Sequence, residues 1–521
     1  MTFSKIKKTL SVEGLQNLKN ILPKETLNLF ILIFTIDFLM SASFCLIRNI
    51  RLAMVVTGSN SGSELIPYIQ FWIGLPSAFI MVAILARLSR SVSPEKVFYV
   101  ITTAFVAFFM IFALIIFPAR YEVLQMLQTT QSSNPFILMF EMWDLTAYYV
   151  VTGLWKIIIL QVLLWGYINR QILMAEAKKL YSPLMLAGAI GGAAAGTISE
   201  VCSQESFVRW FGFAGKSTWH GALIIQTIIF AALAIGIMIT FSKLAKSLRS
   251  RNLKEEGTVA QAKKEKKEKY QNTLSLMSSL SYFIKRPVLC SLGIIVLTSY
   301  VAISLCEIIY LNKLREVYPN TLEYNIFLAR FSFWSAIGIG VSALFICTPM
   351  VKRGKWIALS LITPGILLVT SIIFFFFAIF GYTSWMSDFS QTIFECSPIF
   401  IAAIAGAFMR LFFSASKNTI LSATKELTFV SLPDEDQLKG KFVIDGIGSR
   451  MGNSSASLIS QGLILGFGSL DACLPLVAFI AIVFIGLWTK SALQIGKHMV
   501  ESTVDTQPSP APQEVLVKQV A

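Results

Sequence analysis

Apolar runs of about 20 residues, separated by short charged segments, recur along the whole chain, and nothing else in the sequence constrains the fold as strongly. They fall at residues 28–47, 66–86, 97–117, 145–166, 183–201, 221–241, 288–308, 326–350, 356–380, 398–421, 453–469 and 473–491. In hydrocarbon every backbone amide and carbonyl must be paired within the protein, so only helices and closed barrels span, and runs of this length predict helices. Of 521 residues only 14% are charged and 55% are hydrophobic, with 41 Phe. A soluble chain carries about 25% charged residues. The expected class is an all-α membrane protein with about 12 transmembrane helices. The eleventh run is the weakest, because the Gly- and Ser-rich stretch 446–462 is polar enough to line a cavity instead of facing lipid.

Charge placement divides the chain. The one long hydrophilic stretch, 242–287, contains the run KKEKKEK at Lys263–Lys269 and reads as a solvated cytoplasmic linker between two six-helix halves, 1–241 and 288–495. Residues 496–521 read as a disordered tail. Lys and Arg gather in alternate short loops, among them Arg87, Arg90 and Lys96, and again Lys352, Arg353 and Lys355. By the positive-inside rule those loops and both termini are cytoplasmic. Two halves with this spacing suggest a major-facilitator-like architecture, in which the substrate site lies near the midplane between the halves. The segment 1–25 is basic and amphipathic, not a cleavable signal, so the first span is expected to serve as the insertion signal.

The same composition argues against several chemistries. A net charge of +15 would suggest nucleic-acid binding in a soluble protein, but here it sets topology, and no nucleic-acid partner is expected. His220 and His498 are the only histidines, and the seven Cys form no ligand-like cluster. A His-based metal site or a Ser-His-Asp triad has almost no raw material, so neither a metal, a cofactor nor an enzyme activity is expected.

Ionisable groups at membrane depth are costly and are therefore functional candidates. Arg48 and Arg51 lie near the end of span one, one turn apart on one face. Such a pair either grips polyphosphate oxygens or snorkels to lipid headgroups. Lys156 follows Trp155 in span four; Arg410 and Lys417 stand two turns apart in span ten; Lys441 and Arg450 flank the start of span eleven. Three acids oppose them: Asp37 within span one, Glu307 at the end of span seven and Asp445 at the start of span eleven. The excess of cations points to an anionic substrate, while each acid is a candidate for proton coupling or for a structural ion pair. Asp37 is the first choice for coupling. Trp155 and Tyr149 are the expected stacking partners for a base. Gly188, Gly192 and Gly196 form a doubled small-xxx-small pattern, which predicts close helix packing.

Three segments carry a family resemblance: LIRNIRLAMVVTGSNSGSELIPYIQFWIGLP at Leu46–Pro76, SLCEIIYLNKLREVYPN at Ser304–Asn320, and SKNTILSATKELTFVSLPDEDQLKGKFVIDGIGSRMGNSSASLISQGL at Ser416–Leu463. The chain resembles the ATP/ADP translocase, or nucleotide transport protein, family of obligate intracellular bacteria and plastids. Carried over by position, that family's important charged sites fall on Arg51, Gly153, Glu307 and Lys441. Glu307 and Lys441 match. At the first site an R-D-T-K-D pattern becomes Arg48, Asn49, Ile50, Arg51, Leu52, so the cation stays and both acids are lost; at the second an acid becomes Gly153, with Lys156 added three residues on.

The resemblance implies nucleotide transport by alternating access, with nucleotide polyphosphates, protons and the lipid bilayer as partners. Because the acids of the exchangers are lost and Asp37 is present, proton-coupled import across the bacterial inner membrane is the expected mode, by a monomer. Nucleotide counter-exchange (ATP/ADP or NAD/ADP type) and symport of another organic anion are the alternatives.

Overall fold

The computed structural model describes residues 24–120, 132–171, 174–212, 217–254, 286–353, 356–430 and 448–505, together with 432, 440 and 444. Among these the ordered elements are helices, with no strand. Among the described residues the longer helices are α1 Lys24–Gly58, α2 Gly62–Ser91, α3 Pro94–Arg120, α4 Trp143–Ile168, α5 Met174–Cys202, α6 Thr218–Lys254, α7 Pro287–Val317, α8 Thr321–Val351, α9 Trp356–Phe380, α10 Pro398–Phe429, α11 Ser449–Phe467 and α12 Asp471–Lys497. Ten are long and apolar enough to cross a membrane. In α5 the apolar part is shorter, Leu186–Cys202. α11 is long enough but too polar, as its Gly- and Ser-rich sequence predicts.

Local chemistry sets the helix starts. Pro94, Pro287 and Pro398 open α3, α7 and α10, where the missing N–H costs nothing. Asn320 caps α8 by accepting from the Leu322 amide at 2.8 Å, and Ser397 caps α10 from the Phe400 amide at 3.3 Å. Large apolar side chains such as Phe79, Ile115, Leu465 and Phe479 point outward, as a lipid-facing surface requires.

The helices pack in a pattern that repeats when six is added to each number. α1 lies against α4, α5 and α6, as α7 lies against α10, α11 and α12; α3 packs on α6 as α9 packs on α12. Between the two groups α5 runs along α8, and the start of α2 runs along α11, which are again equivalent pairs. Glycines of α5 account for two of these seams. A Cβ on Gly196 would lie 2.7 Å from the Ala329 carbonyl oxygen of α8, and one on Gly191 would collide with the Phe38 carbonyl oxygen of α1.

Three boundaries differ from the sequence expectation. α1 does not end near residue 47 but continues to Gly58, because arginines interrupt the apolar run without interrupting the helix. Arg48 and Arg51 are therefore interior groups, not groups at a membrane surface. α7 likewise continues to Val317, so Glu307 stands well inside it. α6 runs on to Lys254, past the expected start of the linker at 242.

The hydrogen bonds that tie the two groups together gather toward the end where α1 finishes and α8 starts. Thr57 meets Thr321 at 2.7 Å, Ser63 Oγ donates to the Ile308 carbonyl at 2.7 Å, and Arg315 donates to the Asn60 carbonyl at 3.2 Å. Glu64 accepts from the Leu470 amide at 2.6 Å. Gly62 makes this approach possible: its φ is +57°, and a Cβ there would lie 2.5 Å from an Arg315 guanidinium nitrogen.

Candidate functional site

One face of α1 carries Asp37, Phe44, Arg48 and Arg51 at helical spacing, and that face looks onto α4 and across to α8. Arg48 donates to Ser332 Oγ of α8 at 3.1 Å. Arg51 covers the Tyr149 ring of α4 at 4.3 Å and donates to the Tyr149 carbonyl at 3.4 Å. The Nε of each arginine is buried and has no hydrogen-bond partner among the described residues. Buried donors of this kind are costly unless something else satisfies them. Gly153 explains part of this: a Cβ there would lie 3.5 Å from Arg51 Nη1, so an acid at this position would sit beside the guanidinium. Glycine leaves it uncompensated.

Lys156 of α4 lies over the Phe44 ring at 5.0 Å, and Lys417 of α10 lies over the Tyr300 ring of α7 at 3.9 Å. Lys417, Arg48, Asp37 and Arg51 are the charged groups near Lys156. Lys156 is exposed. Neither lysine has an ion-pair partner among the described residues.

The remaining candidates separate. Arg410 is matched by Glu307 at 2.5 Å and lies over the Phe331 ring at 5.6 Å, so these two groups compensate each other. Asp37 Oδ2 faces Gly188, where a Cβ would lie 3.5 Å away, and it makes no ion pair among the described residues. Arg450 sits in the first turn of α11 and has no ion-pair partner among them either. Lys441 and Asp445 lie outside the described residues. Trp155 is a correction to the stacking expectation: it is fully buried, edge-on to Phe105 and Phe230, and donates to Ser43 Oγ at 3.3 Å. Its indole is part of the packing between α3, α4 and α6, with no face left for a base. Tyr149 keeps its place at the site under Arg51, its hydroxyl accepting from Gln70 at 2.8 Å.

Sequence reasoning missed Phe44, Tyr300, Ser332 and Gln70. A signal for the first two was present: an aromatic stands seven residues before Arg51 and another seven before Glu307. Lys313 and Arg315 fall between the predicted spans 288–308 and 326–350, where a loop is expected. Lys313 is instead fully buried in α7, with its three N–H groups met by Glu316 at 2.8 Å, Asp471 at 3.0 Å and the Tyr382 hydroxyl at 2.7 Å.

Chemically, among the described residues Arg48, Arg51, Lys156 and Lys417 have no carboxylate ion-pair partner, and Asp37 makes no ion pair. A multiply charged anion would compensate such a set. Comparisons with known proteins concern the chain as a whole. The family model described as TLC ATP/ADP transporter matches residues 12–499. An ADP,ATP carrier protein of Chlamydia muridarum is 29% identical over 95% of this chain and 91% of its own length. ADP,ATP carrier protein 3 of Rickettsia conorii is 25% identical over 96% and 98%. Among solved structures, a bacterial homologue of the iron transporter ferroportin in an inward-facing state superposes with a TM-score of 0.54 at 12% identity, covering 90% of this chain and 98% of that one. That likeness concerns the fold, which is major-facilitator-like.

Proposed function

The chain belongs to the TLC ATP/ADP transporter family, and from that premise we propose that it is a counter-exchanger of nucleotides of the ATP/ADP type, working by alternating access. The observation that carries this reading is the uncompensated set Arg48, Arg51, Lys156 and Lys417 in the space between α1–α6 and α7–α12. While that space is open, water solvates the cations. Closing it empty strips their hydration at several kcal/mol per ion. A bound polyphosphate removes the penalty, so the loaded carrier reorients and the empty one does not. An obligatory swap of one anion for another follows.

This reading replaces proton-driven import as the leading one. The relatives are named for both ADP and ATP, and compensation of the cation set needs only substrate. The second reading, proton-coupled uptake, is favoured by one observation: Asp37 lacks an ion-pair partner close to Lys156. The ties at Thr57, Asn60, Ser63 and Glu64 close the site toward the end where α1 finishes. With cytoplasmic termini that end is external, and the site opens to the cytoplasm. Chlamydial and rickettsial relatives support placement in a bacterial inner membrane, and a monomer contains the whole site.

Proteoliposomes separate the readings. Uptake of labelled ATP that requires internal ADP and ignores a protonophore supports exchange. Uptake into empty vesicles that collapses with a protonophore supports proton coupling through Asp37 and overturns exchange, and no uptake of any nucleotide overturns both.

A further inference from the structure

The repeat of helix packing extends to the side chains of the site. Phe44 and Arg51 on α1 are seven residues apart, as are Tyr300 and Glu307 on the equivalent α7. Tyr149 and Lys156 on α4 are seven apart, as are Arg410 and Lys417 on the equivalent α10. The contacts follow the same correspondence. Arg51 meets Tyr149 as Glu307 meets Arg410, and Lys156 covers Phe44 as Lys417 covers Tyr300. Each lysine is also the first residue of a π-helical turn, Lys156–Leu164 in α4 and Lys417–Leu421 in α10. Such turns disturb the regular hydrogen-bond ladder and concentrate at functional positions. Of these equivalent pairs only the lysines have the same charge in both halves, and each is held by a ring face and not by a carboxylate.

We propose that Lys156 and Lys417 form a two-sided clamp for the phosphate chain of the substrate, one ammonium from each half, with the phosphates lying across the pseudo-twofold axis. This deepens the exchange reading and rests on it for the identity of the full substrate. An aromatic face orients an ammonium without neutralising it, so both lysines stay available to phosphate oxygens. Two ammonium groups that repel each other across the space are drawn together only by an anion long enough to touch both. Affinity should therefore grow with the number of phosphates, and the growth should need both lysines. The clamp also couples binding to motion, since one phosphate chain bridges the two bodies that move.

The test uses purified full-length protein and inorganic pyrophosphate as probe, with AMP, ADP and ATP as competitors, in wild type, Lys156→Met, Lys417→Met and the double variant. Charge-assisted contacts to phosphate are strong enough that each single variant should weaken pyrophosphate and ATP binding about tenfold or more. The preference for ATP over AMP should shrink in both, and Lys156→Arg and Lys417→Arg should restore much of it. Wild-type affinities, or an unchanged ATP-to-AMP ratio, in either Met variant overturn the clamp, and wild-type ATP/ADP exchange alongside that result leaves the transport reading standing. Pyrophosphate binding that depends on both lysines, in a protein that exchanges no nucleotide, supports the clamp and overturns the transport reading. Failure of wild type to bind pyrophosphate or nucleotide overturns both.

Discussion

Two lysine environments inside the same protein show what separates structure from site. Lys313 is buried, and each of its three N–H groups has an acceptor: Glu316, Asp471 and Tyr382. Asp471 is in turn held by Asn312 at 2.8 Å, and the phenol of Tyr382 is pushed above its ordinary range by burial and by the Glu316 hydrogen bond. Lys156 and Lys417 have only ring faces beneath them. A satisfied buried ion is part of the scaffold, and removing one partner strands the others. An unsatisfied one waits for a guest.

That contrast is open to direct attack. Lys313→Met strands two carboxylates against a closed end of the bundle and should cost about 3–5 kcal/mol of stability, read as a large fall in melting temperature and in folded yield. An unchanged melting temperature would mean that the network is not structural. Next in size is the seam of α5. Gly196→Ala places a Cβ against the α8 backbone and should cost about 1–3 kcal/mol, because backbone does not yield as a flexible side chain does. Normal stability in that variant would show that α5 and α8 pack less closely than the glycines indicate. Arg51→Ala inverts the pattern: its melting temperature in the absence of ligand should shift little or rise, within about 1 kcal/mol, while nucleotide uptake falls to near background. Wild-type uptake would remove Arg51 from the site. Smallest of all is Arg209→Ala, which breaks the exposed pair with Glu205 and should change stability by no more than about 0.5 kcal/mol and leave uptake unchanged.

How much of this the sequence disclosed follows from which forces leave a local trace. Helix positions were legible, since spanning a bilayer demands a run of apolar residues, and the polarity of α11 was visible in its serines and glycines. Close packing at Gly188 and Gly196 was legible from spacing alone, whereas Gly192 leaves room for a Cβ, and Gly191, which makes the tightest approach to α1, escaped the pattern because it lies off that period. Helix ends were less clear: the arginines of α1 and Lys313 of α7 lie just past the apolar runs 28–47 and 288–308, and a hydropathy scan cannot distinguish a charge facing headgroups from one facing other helices. Pairing was not legible at all. Whether Arg410 is free or held by Glu307, and whether Trp155 is exposed or packed, depends on other helices that are distant in sequence, up to 112 residues away for the Trp155–Ser43 contact. The repeat of aromatic and charge at seven-residue spacing was present in the sequence, but it had meaning only once α1 was known to match α7, and α4 to match α10.

The shift in melting temperature that ATP produces in purified wild type, Lys313→Met and Arg51→Ala tests most directly whether the unpaired cations bind nucleotide. A binding nucleotide stabilises the folded state in proportion to its occupancy. The expected result is a clear upward shift in wild type, a shift of similar size from a much lower starting point in Lys313→Met, and little or no shift in Arg51→Ala despite its normal starting point. A wild-type protein indifferent to ATP, or an Arg51→Ala variant that responds as wild type does, would contradict the claim that the unpaired cations between the two helix groups are the binding site.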